Sequence, residues 1–156
     1  EVGIGSGIVA ETLQRSWPTL QIDGVDTSEA MLRIARTRLP GSHLRVGSAT
    51  DLPQPAHSYD VIVVAHVLRY IPPEHAGAVV AQLDRVARQQ ARVYVSDLAL
   101  PTFRLAAFPG VQRIERGILG IWSDRPALIE AMSRRGFTLT RTQHPIASFL
   151  LTFDRR

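Results

Sequence analysis

The sequence contains no cysteine, which excludes thiolate nucleophiles, zinc–thiolate sites, iron–sulfur clusters and disulfides. It has no lysine either, so all 18 basic residues are arginine. A Walker-type phosphate loop needs its lysine on the phosphates, and a pyridoxal cofactor needs a lysine Schiff base; both are excluded. Long apolar runs are missing as well. The stretch Val61 to Ala65 is far too short to span a bilayer. No basic and apolar leader pattern opens the chain, so a cytoplasmic location is expected. No metal site is assigned.

What is present reads as one globular domain over residues 1–156, with 45% hydrophobic and 21% charged residues, enough to bury a core. The formal net charge is +4. The arginines are scattered rather than clustered, which favours ordinary solvation over a surface that tracks phosphates. Glu1-Val2-Gly3-Ile4-Gly5 reads as the tail of a buried strand entering a glycine turn. A domain rarely begins inside its most demanding loop, so a preceding segment is expected.

Apolar periodicity alternates between strand and helix along the chain. Helices are predicted over Ile8–Arg15, Ser28–Leu39 and Glu74–Gln89, with Met31, Ile34 and Ala35 sharing a face of the second. Strands are predicted over Leu20–Asp26, His43–Val46, Tyr59–Ala65 and Arg92–Leu98. Residues 99–122, rich in Phe, Pro and Gly and without a clean period, read as an insert over one end of the sheet. A last helix opens at Ser123-Asp124 and closes at Arg134-Arg135-Gly136, and Phe137–Arg141 and Ala147–Phe153 form a terminal hairpin. This pattern implies an α/β domain with a doubly wound, mostly parallel seven-stranded sheet and a C-terminal antiparallel hairpin. In such sheets ligands bind at the carboxyl ends of the strands.

The chemistry-bearing residues fall at those ends. Gly3 and Gly5 permit a tight turn and a close ligand approach, and the following helix offers free amide donors. Asp26 ends the next strand, 21 residues after Gly5, which places a carboxylate where it can accept from both hydroxyls of a ribose. A nicotinamide dinucleotide usually takes G-x-G-x-x-G, whose third glycine would fall on Ile8. Here the pattern is G-x-G-x-G preceded by Glu1, a carboxylate that repels a pyrophosphate and attracts a cation.

Four segments, in order, carry a family resemblance: Glu1 to Gly7, Gly24 to Leu32, Gly47 to Pro53 and Ser58 to Val63. They resemble the class I S-adenosylmethionine-dependent methyltransferases, most of all the small-molecule branch related to quinone-biosynthesis enzymes. The resemblance implies that Glu1 and the loop glycines Gly3, Gly5 and Gly7 hold the methionine end of S-adenosylmethionine, and Asp26 the ribose hydroxyls. It further implies that Thr27 and Met31 flank the sugar and adenine, that Ser48 and Ala49 border the adenine, and that Ala65 offers its carbonyl to the ligand's ammonium. The family commonly has Asp where this chain has Ser48, a weaker acceptor. It also commonly has a glycine pair where this chain has Arg88-Gln89-Gln90-Ala91.

Methyl transfer from a sulfonium needs alignment more than acid–base apparatus. Where the acceptor is weakly acidic, His66, just after the strand facing the methyl group, is the candidate base; the alternative is packing against the cofactor. Arg69, Tyr70 and Trp122 are candidates for contact with the acceptor, and Asp97 either lines the acceptor side or caps the next loop. His43, His57, His75 and His144 read as surface. Pyrimidine C5 methylation needs a cysteine, and the amino-methylating Asn/Asp-Pro-Pro-aromatic motif is replaced by Ala65-His66-Val67-Leu68. The expected partner is therefore a small-molecule acceptor carrying an oxygen, nitrogen or carbon nucleophile, with nucleic acid disfavoured. The alternatives are an RNA methyltransferase and a non-catalytic relative that only binds the cofactor. Oligomeric state is left open.

Overall fold

A computed structural model describes residues 1–98, 125–143 and 148–156. The proposed insert 99–122, with Phe103, Phe108 and Trp122, lies outside the described residues, as do Ser123, Asp124 and His144. Within them the chain runs α1 (Ile8–Ser16), β1 (Asp23–Asp26), α2 (Glu29–Arg38), β2 (His43–Val46), β3 (Tyr59–Ala65), α3 (Ala76–Val86) and β4 (Ala87–Leu98). It continues with α4 (Arg125–Arg134), β5 (Phe137–Gln143) and β6 (Ser148–Arg155). Two short 3₁₀ turns, Leu68–Tyr70 and Pro73–His75, connect β3 to α3.

The strands form a parallel pair β2-β1 and a mixed sheet in the order β3-β4-β6-β5. β3 and β4 are parallel, whereas β6 runs antiparallel to both β4 and β5. Val2 bridges the two groups by pairing in parallel with Val25 and with Val64. The described strands therefore number six, and the seventh expected from the sequence is represented by Val2 alone. All four parallel strands end on the same side. The α/β alternation, the parallel pairing and the terminal hairpin follow the expected architecture.

Local chemistry sets the boundaries. Ser28 caps α2 by accepting the Met31 N–H at 3.3 Å, and Arg36 and Arg38 sit in its last turn, where cations suit the helix dipole. The inner face of α2 is Leu32, Ala35 and the following Leu39, all buried. Met31 and Ile34, expected on that face, are 44% and 45% exposed, because the helix sits rotated so that Leu32 and Ala35 meet Ile4 and Leu44. The helix expected over Glu74–Gln89 is shorter: Pro73 opens a 3₁₀ turn, and Ala87 already belongs to β4. Where the family carries glycine, Gln90 adopts a left-handed conformation (φ +65°), and the β3–β4 register jumps between Tyr59 and Val61. The main core joins Ile62 and Val64 of β3, Val93 and Val95 of β4, and Leu151 and Phe153 of β6. It packs on Val79, Val80, Leu83 and Val86 of α3.

Candidate cofactor site

The glycine loop is held by the two strands beside it. The Val2 N–H donates to the Val63 carbonyl at 2.8 Å, and the Gly3 and Ile4 N–H groups both donate to the Val25 carbonyl at 2.8 and 3.0 Å. Gly3, Gly5 and Gly7 all have positive φ, at +69°, +55° and +81°, a region that side chains disfavour. Gly3 is constrained twice. A β-carbon there would lie 2.6 Å from Val67 Cγ2 and 2.8 Å from Val67 Cβ, so the loop reaches the end of β3 only as glycine.

Asp26 ties together the segments on either side of it. Its Oδ2 accepts the Gly5 N–H at 2.8 Å, and its Oδ1 accepts the Ser28 N–H at 2.9 Å. The spacing of 21 residues is thus a direct bond that ties the glycine loop to the end of β1 and the start of α2. An ionised carboxylate has about four acceptor positions, so capacity remains for two hydroxyl donors.

A cleft of about 330 Å³ opens beside Asp26 at the carboxyl ends of the strands. One wall is Gly3, Asp26, Thr27 and Gly47 to Thr50. The Ser48 and Thr50 hydroxyls hydrogen-bond to each other at 2.8 Å. The opposite wall is Val67, Tyr70, Ile71, Pro72 and His75. Of this wall the sequence indicated only Tyr70, as a candidate acceptor contact; His75, expected on the surface, is exposed and also lines the cleft. The available signal was Pro72-Pro73, since Pro73 opens the 3₁₀ turn that carries His75.

Glu1, Met31 and Ala65 are not among the residues lining that cleft, and Glu1 lines a separate small cavity with Val2, Asp23 and Tyr59. Glu1 sits beside the first turn of α1, with Oε2 buried and without a hydrogen-bond partner. Burial pushes its carboxyl up to about 7, against the lowering effects of the chain's amino group and the Ala10 N–H. Ala65 closes β3, paired with Ser96, and Met31 projects from the exposed side of α2.

Beyond Ala65 the chain turns sharply. His66 adopts a left-handed conformation (φ +59°) while its N–H donates to the Ser96 carbonyl at 2.8 Å. Arg69 is not a solvated helix residue: its backbone N–H donates to Asp97 Oδ2 at 3.2 Å, and its Nε lies 3.2 Å from Asp97 Oδ1. Asp97 is 0% exposed. Its inward position was legible, because Ala91, Val93, Val95 and Asp97 share one face of a strand by simple alternation. Tyr70 is 74% exposed at the cleft rim, with the Arg69 guanidinium 5.2 Å from its ring centre. Among the described residues no group of three or more acids or histidines converges as metal ligands, and no helix is long and apolar enough to cross a membrane.

Comparison with known proteins agrees with this geometry. Residues 1–90 match a family described as a methyltransferase domain. The chain is similar to a demethylmenaquinone methyltransferase from Thermotoga maritima, 35% identical over 101 residues, covering 65% of this chain and 43% of that protein. It is also similar to a trans-aconitate 2-methyltransferase from Rhodopseudomonas palustris, 38% identical over 72 residues, covering 46% of this chain and 28% of that one. The matches thus span less than half the length of either curated relative. A crystal structure of a SAM-dependent methyltransferase from Methanosarcina mazei shares the fold with a TM-score of 0.77 at 15% identity, covering 99% of this chain and 90% of that one. With its glycine loop, acid-ended β1 and cleft at the strand ends, the chain belongs to the methyltransferase-domain family and has the Rossmann-like fold of the class I S-adenosylmethionine-dependent enzymes.

Proposed function

We propose that the cleft binds S-adenosylmethionine and that the protein transfers its methyl group to a small-molecule acceptor. The observation that carries this reading is Asp26, whose carboxylate faces the cleft while bonded to Gly5 and Ser28. An acid fixed in this way is preorganised to accept two hydroxyls without reorganising. The residues fit the cofactor. Glu1 Oε2 is a buried acceptor without a partner, suited to a cation, and we assign it with Gly3, Gly5, Gly7 and the Ala65 carbonyl to the methionine end. Thr27, Met31, Ser48 and Ala49 are assigned to the sugar and base. When bound there, the cofactor supplies an electrophilic methyl on a cationic sulfur.

The chain's own contribution is to hold, align and dry the reacting groups. Val67 and Ile71 give the second wall an apolar surface, and we assign Tyr70, Arg69 and Trp122 to the acceptor side. His66 is assigned as the base for a weakly acidic acceptor. The arginine pairing supports a small molecule over nucleic acid. Arg15, Arg36, Arg38, Arg88, Arg92 and Arg155 are each paired with an acid of this chain, which leaves less free charge for phosphates. The placement of Val2 between β1 and β3 supports a seven-stranded sheet with Val2 in its central strand, and we assign the protein to the cytoplasm.

Titration calorimetry of the 156-residue chain with S-adenosylmethionine, S-adenosylhomocysteine and NADH tests the cofactor. Saturable binding of the first two and none of the third is expected. Binding of NADH alone would overturn the reading.

A further inference from the structure

We propose that Asp97 is the positioning residue of His66. The buried carboxylate selects the imidazole tautomer with its proton on Nδ1 and leaves Nε2 as the free base. The proposal rests on the donor-site reading above and deepens it. Three observations converge on the pair. First, Asp97 lies near the end of β4 and His66 immediately follows β3, and these neighbouring strands pair up to Ala65 with Ser96, the residues directly before His66 and Asp97. Second, His66 Nδ1 is the ring nitrogen that lies against Asp97, 3.8 Å from Oδ1, longer than a formed hydrogen bond. Contacts of this kind are often long before ligands bind. Third, the backbone of His66 is held in an unfavourable conformation (φ +59°) by its bond to Ser96, and a left-handed residue that is not glycine marks a position where direction matters more than comfort.

The carboxylate is itself fixed. It receives the Arg69 N–H and lies against the Arg69 guanidinium, which compensates its buried charge. Arg69 Nε has no aligned hydrogen bond of its own, so the guanidinium acts on Oδ1 mainly as a neighbouring charge. Oδ1 can then accept the His66 Nδ1–H.

The resulting step is a proton transfer. As the acceptor's X–H bond breaks, its electron pair stays on X and its proton passes to Nε2. The imidazolium so formed lies beside Asp97, which stabilises it. Because 45% of the His66 side chain is exposed, the proton then leaves to water.

Nitrogen-15 NMR of the histidine-labelled chain, without any donor, reads the tautomer directly. At about pH 8 a neutral imidazole in water favours the Nε2–H form. The His66 signal, identified by its loss in His66→Gln, is expected to show Nδ1–H instead. Asp97→Asn, whose amide can donate to Nδ1, is expected to reverse it to Nε2–H. An Nε2–H form in the wild-type chain would overturn the proposal even if Asp97→Asn fails to fold; so would an unchanged Nδ1–H form in a folded Asp97→Asn. Calorimetric failure to bind S-adenosylmethionine would remove the donor site while leaving the tautomer result intact, so the two readings fail separately.

Discussion

Replacing Gly3 with alanine should be among the most damaging single-methyl additions in the molecule. At φ +69° the new residue occupies the left-handed region, at a cost of about 1–2 kcal/mol. Its β-carbon would also meet Val67 Cγ2 at 2.6 Å and Val67 Cβ at 2.8 Å, where carbons prefer about 3.5–4.0 Å. Relieving such overlap typically costs about 1–3 kcal/mol. The expected loss is therefore about 2–5 kcal/mol, combining the conformational cost with the overlap. Gly5→Ala separates the two contributions. Gly5 has φ +55°, but a β-carbon added there would meet nothing within 4 Å, so only the conformational cost of about 1–2 kcal/mol applies. Adding Val67→Ala to Gly3→Ala removes Cγ2 but leaves Cβ in place, and should recover part of the difference. Denaturant unfolding of the single and double variants measures each contribution. Equal losses for Gly3→Ala and Gly5→Ala would refute the claim that Val67 makes glycine obligatory at position 3.

Asp26→Ala should weaken S-adenosylmethionine binding by about 10- to 150-fold, equivalent to about 1.5–3 kcal/mol for lost charged hydrogen bonds. Because Gly5 and Ser28 lose their acceptor too, the unliganded chain should lose stability by a similar amount; calorimetry and thermal unfolding would show one effect without the other if the tie were unimportant. Glu1 predicts a pH dependence of opposite sign to that of a salt-bridged acid. Its folded value, about 7, lies above its ordinary 4.5, so its stabilising effect is complete below about pH 4.5 and is lost as pH rises toward 7, by at most about 3 kcal/mol. Glu1→Gln should flatten that slope in unfolding experiments across the range. At His66, glycine should give a more stable fold than alanine by about 1 kcal/mol, since only glycine accepts φ +59° without strain; equal stabilities would show that the turn is relaxed.

The parts of the fold written in short-range pattern were legible. The alternation of β3 and β4 with α3, the Ser28 cap and the terminal hairpin all follow from periodicity and turn chemistry. What failed depended on packing between elements. Met31 and Ile34 fit a helical apolar face as well as Leu32 does, and only the position of Ile4 and Leu44 decides which face turns inward. At the site, the place of Asp26 at the end of β1 was legible from strand pattern and spacing. The bonds that make it a tie for the loop were not, since backbone amides leave no mark in a sequence. Asp97 was underestimated because its partner, Arg69, comes from a different strand end and meets it only after both segments turn.

Val2 joins β1 to β3 through its own backbone, and it is directly followed by the glycine that floors the cleft. A ligand gripped by Asp26 on one side and lying against Val67 on the other would therefore act as a second clasp across the same seam. Occupancy would then be felt by the sheet as a whole, well beyond the residues it touches.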